Sequence, residues 1–332
     1  MNIVKIEKPK QFINEIINDK KLANESVKYV VRIKRTILSL LRLLILVGIS
    51  YIILGPIITV ISRSFFSAED VYNPVVYLFP KAPTLENFRL AFLRLNYTKV
   101  LSSTVIYVIT LMLIQIVVCS MVGYGFARFD FPFKKVLFMG VILTIVIPTH
   151  TIMLPLYIDF MKFDLFGILK IFGVDGKNLL NTKWPMYIMT IFGVGLRSGL
   201  YIYIFNQFFR GLPKEIEEAA FIDGAGVWYT YFRIMLVNSV PAVITVSVFS
   251  LVWQYNDMFY SKLFVISSDA LISKKITTLQ STISNMDKID DPTLTQLYLY
   301  AGIVLTIVPI ILIYIALQKY FMEGVERSGI VG

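Results

Sequence analysis

Six long apolar stretches separated by polar intervals dominate the chain: Ile37 to Ile61, Val100 to Phe126, Val136 to Tyr157, Trp184 to Phe209, Val237 to Ile266 and Leu294 to Tyr320. A helix needs about 20 mostly apolar residues to cross a hydrocarbon core of about 30 Å, and each stretch reaches that length with few charges. The runs are continuously apolar, whereas the strands of a membrane barrel alternate apolar and polar positions over about ten residues. The pattern predicts an all-α membrane protein with six transmembrane helices. The first run follows a 36-residue segment rich in polar and charged residues and lacks a small-residue cleavage pattern, so it is expected to stay as a span.

The polar intervals divide the chain into an N-terminal segment 1–36, a transmembrane domain 37–320 carrying a polar loop 211–237, and a tail 321–332. In the first segment Phe12, Ile13, Ile16 and Ile17 recur at helical spacing, which fits a helix lying on the membrane surface or, equally, a basic tail without fixed structure. The interval 159–183 contains Gly167, Gly173, Asp175 and Gly176, turn formers that suggest a small excursion between spans. No internal repeat stands out.

Composition agrees: 56% of the 332 residues are hydrophobic, 16% are charged and mean hydropathy is +0.70, too apolar for a water-soluble domain of this size. The net charge of +10 is spread over every loop and forms no basic module, so topology explains it better than nucleic acid does. Six spans put both termini on one side, and a modest Lys/Arg excess in 1–36, 127–135, 210–236 and the tail makes that side cytoplasmic. Lys28, Arg32, Lys34 and Arg35 stand directly before the first span, where they meet lipid headgroups. The single Cys119 forms no intrachain disulfide, and His150 has no second ligand at metal spacing. No Gly-rich loop ending in Lys-Ser/Thr is present, so this chain does not bind and hydrolyse ATP by that mechanism, and no catalytic residue is expected.

The loop 211–237 holds a short amphipathic helix. Pro213 suits a first helical position, Glu215, Glu217 and Glu218 crowd the first turns where the helix dipole favours carboxylates, and Gly224 and Gly226 end it. Small Ala219 and Ala220 allow close approach of a partner surface, while Ile216 and Phe221 offer apolar contacts. Within the spans, Arg42 can snorkel, but Arg197 and Asp257 cannot easily reach water: they either line a path or pair across the bundle. Trp253, Tyr255 and Asn256 offer the aromatic faces and amide that sugars need, though such residues also mark interfaces and helix contacts.

Glu218-Ala219-Ala220, Gly224, Ile234 and Leu236 in this spacing resemble the EAA loop of ABC-importer permeases. The carbohydrate branch is resembled by Asn206 to Pro213, Trp253 to Asp257, Thr278-Leu279-Gln280, Pro83 to Phe88 and the ending Gln318 to Gly324 with Gly329 and Gly332. Together they cover nearly everything from the first span onward and are most similar to MalG-like permeases of oligosaccharide importers. The resemblance implies the type I importer permease fold in a prokaryotic cell membrane. It further implies a MalF-like second permease, two ATPase subunits that bind ATP and Mg, an extracellular solute-binding protein and a carbohydrate carried inward by alternating access. It also implies that Glu218, Ala219, Ala220 and Gly224 dock on the ATPase, with Glu217, Phe221 and Asp223 in support. Arg197, Trp253, Tyr255, Asn256 and Asp257 are the candidates for the substrate path. Val237 departs from the family's proline after Leu236, which questions the bend expected there, although Pro241 matches a second proline. Gln254 and Tyr255 depart from the commoner pattern before Asn256. Alternatives are a permease for another small solute, an ion-driven secondary transporter, which would show more buried acids and inverted symmetry, and a non-transporting scaffold.

Overall fold

The computed structural model describes residues 8–164, 167–171, 173, 176–264, 266–267 and 270–329; side chains are described outside 8–31, 168–169, 317 and 319–329. The segment 1–36 and the tail 321–332 therefore lie largely outside the described side chains, as does Asp175. The fold is helical, and among the described residues strand-like pairing is confined to one antiparallel bridge, Phe163 with Lys177. Backbone compactness divides the chain into residues 1–60 and 61–332. Helix α1 (Lys8–Arg63) supplies the first unit, and residues 32–54 are exposed along its whole circumference. A helix apolar on every face is what hydrocarbon covers.

The second unit contains α2 (Glu86–Leu95), α3 (Tyr97–Arg128), α4 (Lys134–Val146), α5 (Met153–Met161), α6 (Trp184–Ile191), α7 (Ser198–Gly211), α8 (Glu215–Ile222), α9 (Val240–Tyr255), α10 (Leu279–Asp287) and α11 (Pro292–Gly329). Helices α3 and α11 are single rods long enough to span a membrane, as is the Arg32–Arg63 part of α1. The other expected spans are not straight. The Val136–Tyr157 stretch bends by 102° between α4 and the helical turn leading into α5. Pro148 causes this, because it has no N–H to donate and holds Ile147 in an extended conformation. The Trp184–Phe209 stretch is not continuous: residues 192–197 unwind between α6 and α7. The fifth stretch bends by 75° between Asn238 and Val240, after a π-turn over Thr230–Met235. This bend forms without a proline at Val237, since Pro241 sits in the first turn of α9 and the Ser239 hydroxyl donates to Leu236 O at 2.8 Å.

Helix α3 is the post around which the unit packs. Against α7 it buries Cys119, Tyr201, Ile202, Phe205 and Phe209, and this core continues through Tyr124 and Tyr231. The crossing is close because of Gly123, where a Cβ would sit 2.7 Å from Phe205 Cβ and 3.0 Å from Asn206 N. A second core, including Tyr107, Leu111, Met186 and Phe264, fills the other end of α3, and α2, α10 and α11 close around Leu95, Leu279, Ile283 and Ala301.

Candidate functional site

Two places carry polar chemistry: the loop helix α8, and a cavity where the broken helices meet. Helix α8 is only 8 residues long and starts at Glu215, two residues after Pro213, so the rod is shorter than the 213–226 pattern predicts. Its C-terminus is a Schellman turn: Ala225 N–H donates to Ala220 O at 2.9 Å and Gly224 N–H to Phe221 O at 3.0 Å. Gly224 stands in the left-handed region with φ 83°, where a side chain is strained.

The faces of α8 are unequal. Glu218, Ala219, Phe221, Ile222, Asp223 and Gly224 are exposed, Ile222 by 85%, and Trp228, Tyr229 and Phe232 continue the exposed apolar surface beyond the turn. Glu217 and Ala220 face inward instead. Glu217 and Arg128, at the end of α3, form an ion pair of 2.6 Å with side chains 8% and 6% exposed, although Arg128 Nε lacks the in-line geometry of a hydrogen bond. Tyr124 donates its hydroxyl to the other Glu217 oxygen at 2.6 Å, and Arg128 donates to Leu212 O at 2.8 Å. One turn further along α3, Ser120 and the Tyr231 hydroxyl of the π-turn share a 2.6 Å hydrogen bond. Two adjacent glutamates thus do different things: Glu217 ties α8 to α3 and Glu218 faces out.

At the other site, a cavity of about 680 Å³ lies at the breaks near Pro148, residues 192–197 and Asn256–Met258. Unwound backbone at membrane depth is tolerated where it lines a cavity or is buried in protein. Arg197, Trp253, Asn256 and Asp257 all line this cavity, together with His150. The Arg197 guanidinium stacks on the Trp253 ring at 4.2 Å, and His150 meets Phe259 edge to face at 4.7 Å. Asn256 is exposed, with its amide donating to Val252 O at 2.9 Å. Tyr255 is not brought to the cavity: it is buried and its hydroxyl donates to Thr306 O of α11 at 2.7 Å.

Arg197 and Asp257 do not form an ion pair. Asp257, 8% exposed, caps the short helix Phe259–Leu263: one oxygen accepts from Tyr260 N at 3.3 Å, and the other from Ser261 N at 3.1 Å and Ser261 Oγ at 3.0 Å. Arg197 is held by a network that no sequence motif marks. Gln115 of α3 donates to Leu196 O at 2.7 Å and Ser198 Oγ at 3.2 Å, while its oxygen accepts from Ser250 at 2.6 Å and Gln254 at 3.4 Å. The signal that could have found Gln115 is a carboxamide in an otherwise apolar stretch, which has to find partners in hydrocarbon. Arg128, at a span end, has the same sequence appearance as a snorkelling residue and gave none. Among the described residues no three His, Cys, Asp or Glu side chains are grouped so as to hold a metal ion.

Residues 119–327 match the profile of a family described as "Binding-protein-dependent transport system inner membrane component". The arabinooligosaccharides transport system permease protein AraQ of Halalkalibacterium halodurans is 28% identical over 288 residues, 86% of this chain and 93% of that protein. The diacetylchitobiose uptake system permease protein NgcG of Streptomyces coelicolor is 26% identical over 84% of each chain. In fold, the chain is similar to one chain of the crystal structure of a bacterial ABC transporter that imports the acidic polysaccharide alginate, with TM-score 0.67 and 19% identity over 86% of this chain and 96% of that one.

Proposed function

Because the chain belongs to the family of binding-protein-dependent transport system inner membrane components, we propose that it is one permease half of an ATP-driven importer that carries an oligosaccharide into a prokaryotic cell by alternating access. Similarity to permeases named for arabinooligosaccharides and diacetylchitobiose supports the substrate class. The chain crosses the membrane six times with both termini cytoplasmic, counting three straight helices, two bent pairs and the α6–α7 pair as spans. It works with a MalF-like second permease, two ATPase subunits that bind ATP and Mg, and an extracellular solute-binding protein.

The observation that carries this reading is the division of α8 into an exposed face and a face ion-paired to α3. A short helix fixed at its back can push a long one without being flexible itself. The exposed Glu218, Ala219, Phe221, Asp223 and Gly224 meet the ATPase; Glu217 and Ala220 hold the helix in place behind them. Closure of the ATPases then moves α8, and Arg128 and Tyr124 pass the displacement to α3, which packs on α7 and α9 beside the cavity. Trp253, Asn256, Arg197 and the rim of Asp257 face the substrate, while Tyr255 supports from behind. Reconstitution in proteoliposomes tests the scheme: sugar uptake should require this chain, the second permease and ATP turnover together. Uptake that persists without the ATPases, or ATP turnover that never moves a sugar, would refute it.

A further inference from the structure

Past the turn at Gly224 the loop presents a second surface, and its chemistry differs from that of α8. The helical segment 227–238 has no acidic residue, and its outward side chains are Trp228, Tyr229 and Phe232, all exposed, with Arg233 exposed beside them. Trp228 and Phe232 stack one turn apart, with ring centroids 6.2 Å from each other. The opposite side is fixed: Thr230, Tyr231 and Met235 are buried, and the Tyr231 hydroxyl shares its 2.6 Å bond with Ser120 of α3. The aromatic strip is thus held outward by the packing behind it.

Direction decides what covers this strip. The segment meets α9 at 75°, and α9 packs along α3 and α11, the two straight helices of the unit that are long enough to span a membrane. A segment turned through that angle runs close to the membrane plane. It does so at the end of a span, because the Tyr231 ring lies 5.2 Å from that of Tyr124, one turn before α3 stops at Arg128. Exposed Val237 and Val240 continue the apolar strip into the bend. Trp and Tyr concentrate at headgroup level, and a helix lying in that layer sinks its apolar face about 5–10 Å. Arg233 forms no ion pair among the described residues, which leaves its fork of donors for phosphate oxygens. Helix α8, by contrast, exposes the carboxylates of Glu218 and Asp223, which a negatively charged leaflet repels.

We propose that segment 227–238 is an interfacial foot: Trp228, Tyr229 and Phe232 sit in the headgroup layer of the cytoplasmic leaflet and Arg233 binds a phospholipid phosphate there, while α8 stays in water for its ATPase. This rests on the cytoplasmic placement of α8 given above and adds a lipid contact to the same loop.

The test reads depth on the permease pair in phospholipid nanodiscs, with and without the ATPases, in an assembly whose other cysteines, Cys119 included, are replaced by serine. Nitroxide labels are attached singly to Trp228→Cys, Phe232→Cys and, as the water reference, Ile222→Cys; all three positions are exposed, so the core is untouched, and Tyr229→Cys substitutes for either strip variant that fails to assemble. Without ATPases, the ratio of oxygen to NiEDDA accessibility in power-saturation EPR should be several-fold higher at 228 and 232 than at 222. Adding the ATPases should alter the label at 222 alone. Arg233→Glu should lower the ratio at 228 and 232, since repulsion replaces attraction to phosphate, and an unmoved ratio would overturn the phosphate contact. Equal ratios at 232 and 222 in the ATPase-free pair would overturn the foot. So would strip labels that leave water only when the ATPases bind, or that are shielded from both reagents in the pair, because a protein would then cover the strip. In intact cells, a membrane-impermeant thiol reagent that reaches Ile222→Cys from outside would instead remove the orientation on which the inference rests.

Discussion

Glu217→Ala should release α8 from the bundle, whereas Glu218→Ala, one residue away, should not. In the native chain the Glu217 carboxylate takes both the Tyr124 hydroxyl and the Arg128 ion pair at 2.6 Å, with the paired side chains 8% and 6% exposed. Its removal leaves Arg128 buried with only the Leu212 carbonyl, 2.8 Å away. Breaking a buried ion pair by deleting one partner costs about 3–5 kcal/mol. For a helix of 8 residues this cost falls on local docking, so the docked-to-undocked ratio should drop by about two to nearly four orders of magnitude. Glu218 is exposed, and its replacement should alter local stability by less than about 0.5 kcal/mol. Hydrogen–deuterium exchange of the α8 amides, measured on the purified permease pair in nanodiscs without ATPases, reads the difference directly. Exchange should accelerate at least a hundredfold in Glu217→Ala and stay unchanged in Glu218→Ala. Replacing both members of the pair, as in Arg128→Met with Glu217→Leu, should lie closer to wild type than either single change, since no buried charge is then orphaned. Equal exchange in the Glu217 and Glu218 variants would refute the buried-tether account.

Gln115→Leu should lower the melting temperature of the purified permease pair, because Leu196 O, Ser198, Ser250 and Gln254 each lose a partner at about 1–3 kcal/mol for every group left buried and unsatisfied; an unchanged melting temperature would show the network to be dispensable. Gly224→Asp should abolish sugar uptake while the chain still inserts, because it puts a carboxylate and backbone strain at φ 83° on the exposed face assigned to the ATPase, and normal uptake would contradict that docking; Ala220→Arg should undock α8 from the bundle, since Ala220 faces inward with no room for a long cation, and unaltered exchange of the α8 amides would refute its inward place. Trp253→Ala should raise the KM for sugar uptake, whereas Tyr255→Phe should leave KM unaltered and cost about 1 kcal/mol of stability through the lost bond to Thr306 O; the opposite pattern would exchange their roles.

What the sequence by itself determined is what depends on neighbouring residues alone. The length of each apolar run decides that it lies in hydrocarbon, Pro148 and Gly224 carry their bend and turn in their own chemistry, and the carboxylate-rich start and glycine end of α8 mark a short helix wherever it is placed. Unlike these, the inward direction of a helix is set by what it meets. Consecutive residues on a helix point about 100° apart, so Glu217 and Glu218 cannot share a face, but only Arg128 and Tyr124, about ninety positions earlier in the chain, decide which of them turns inward. The same holds for Trp253 and Tyr255, sorted between cavity and α11, and for Asp257, whose carboxylate caps a short helix and forms no ion pair with Arg197. Tertiary structure also unwound residues 192–197, because Gln115 and its neighbours satisfy there the backbone and side-chain groups that an unbroken apolar helix would have satisfied within itself.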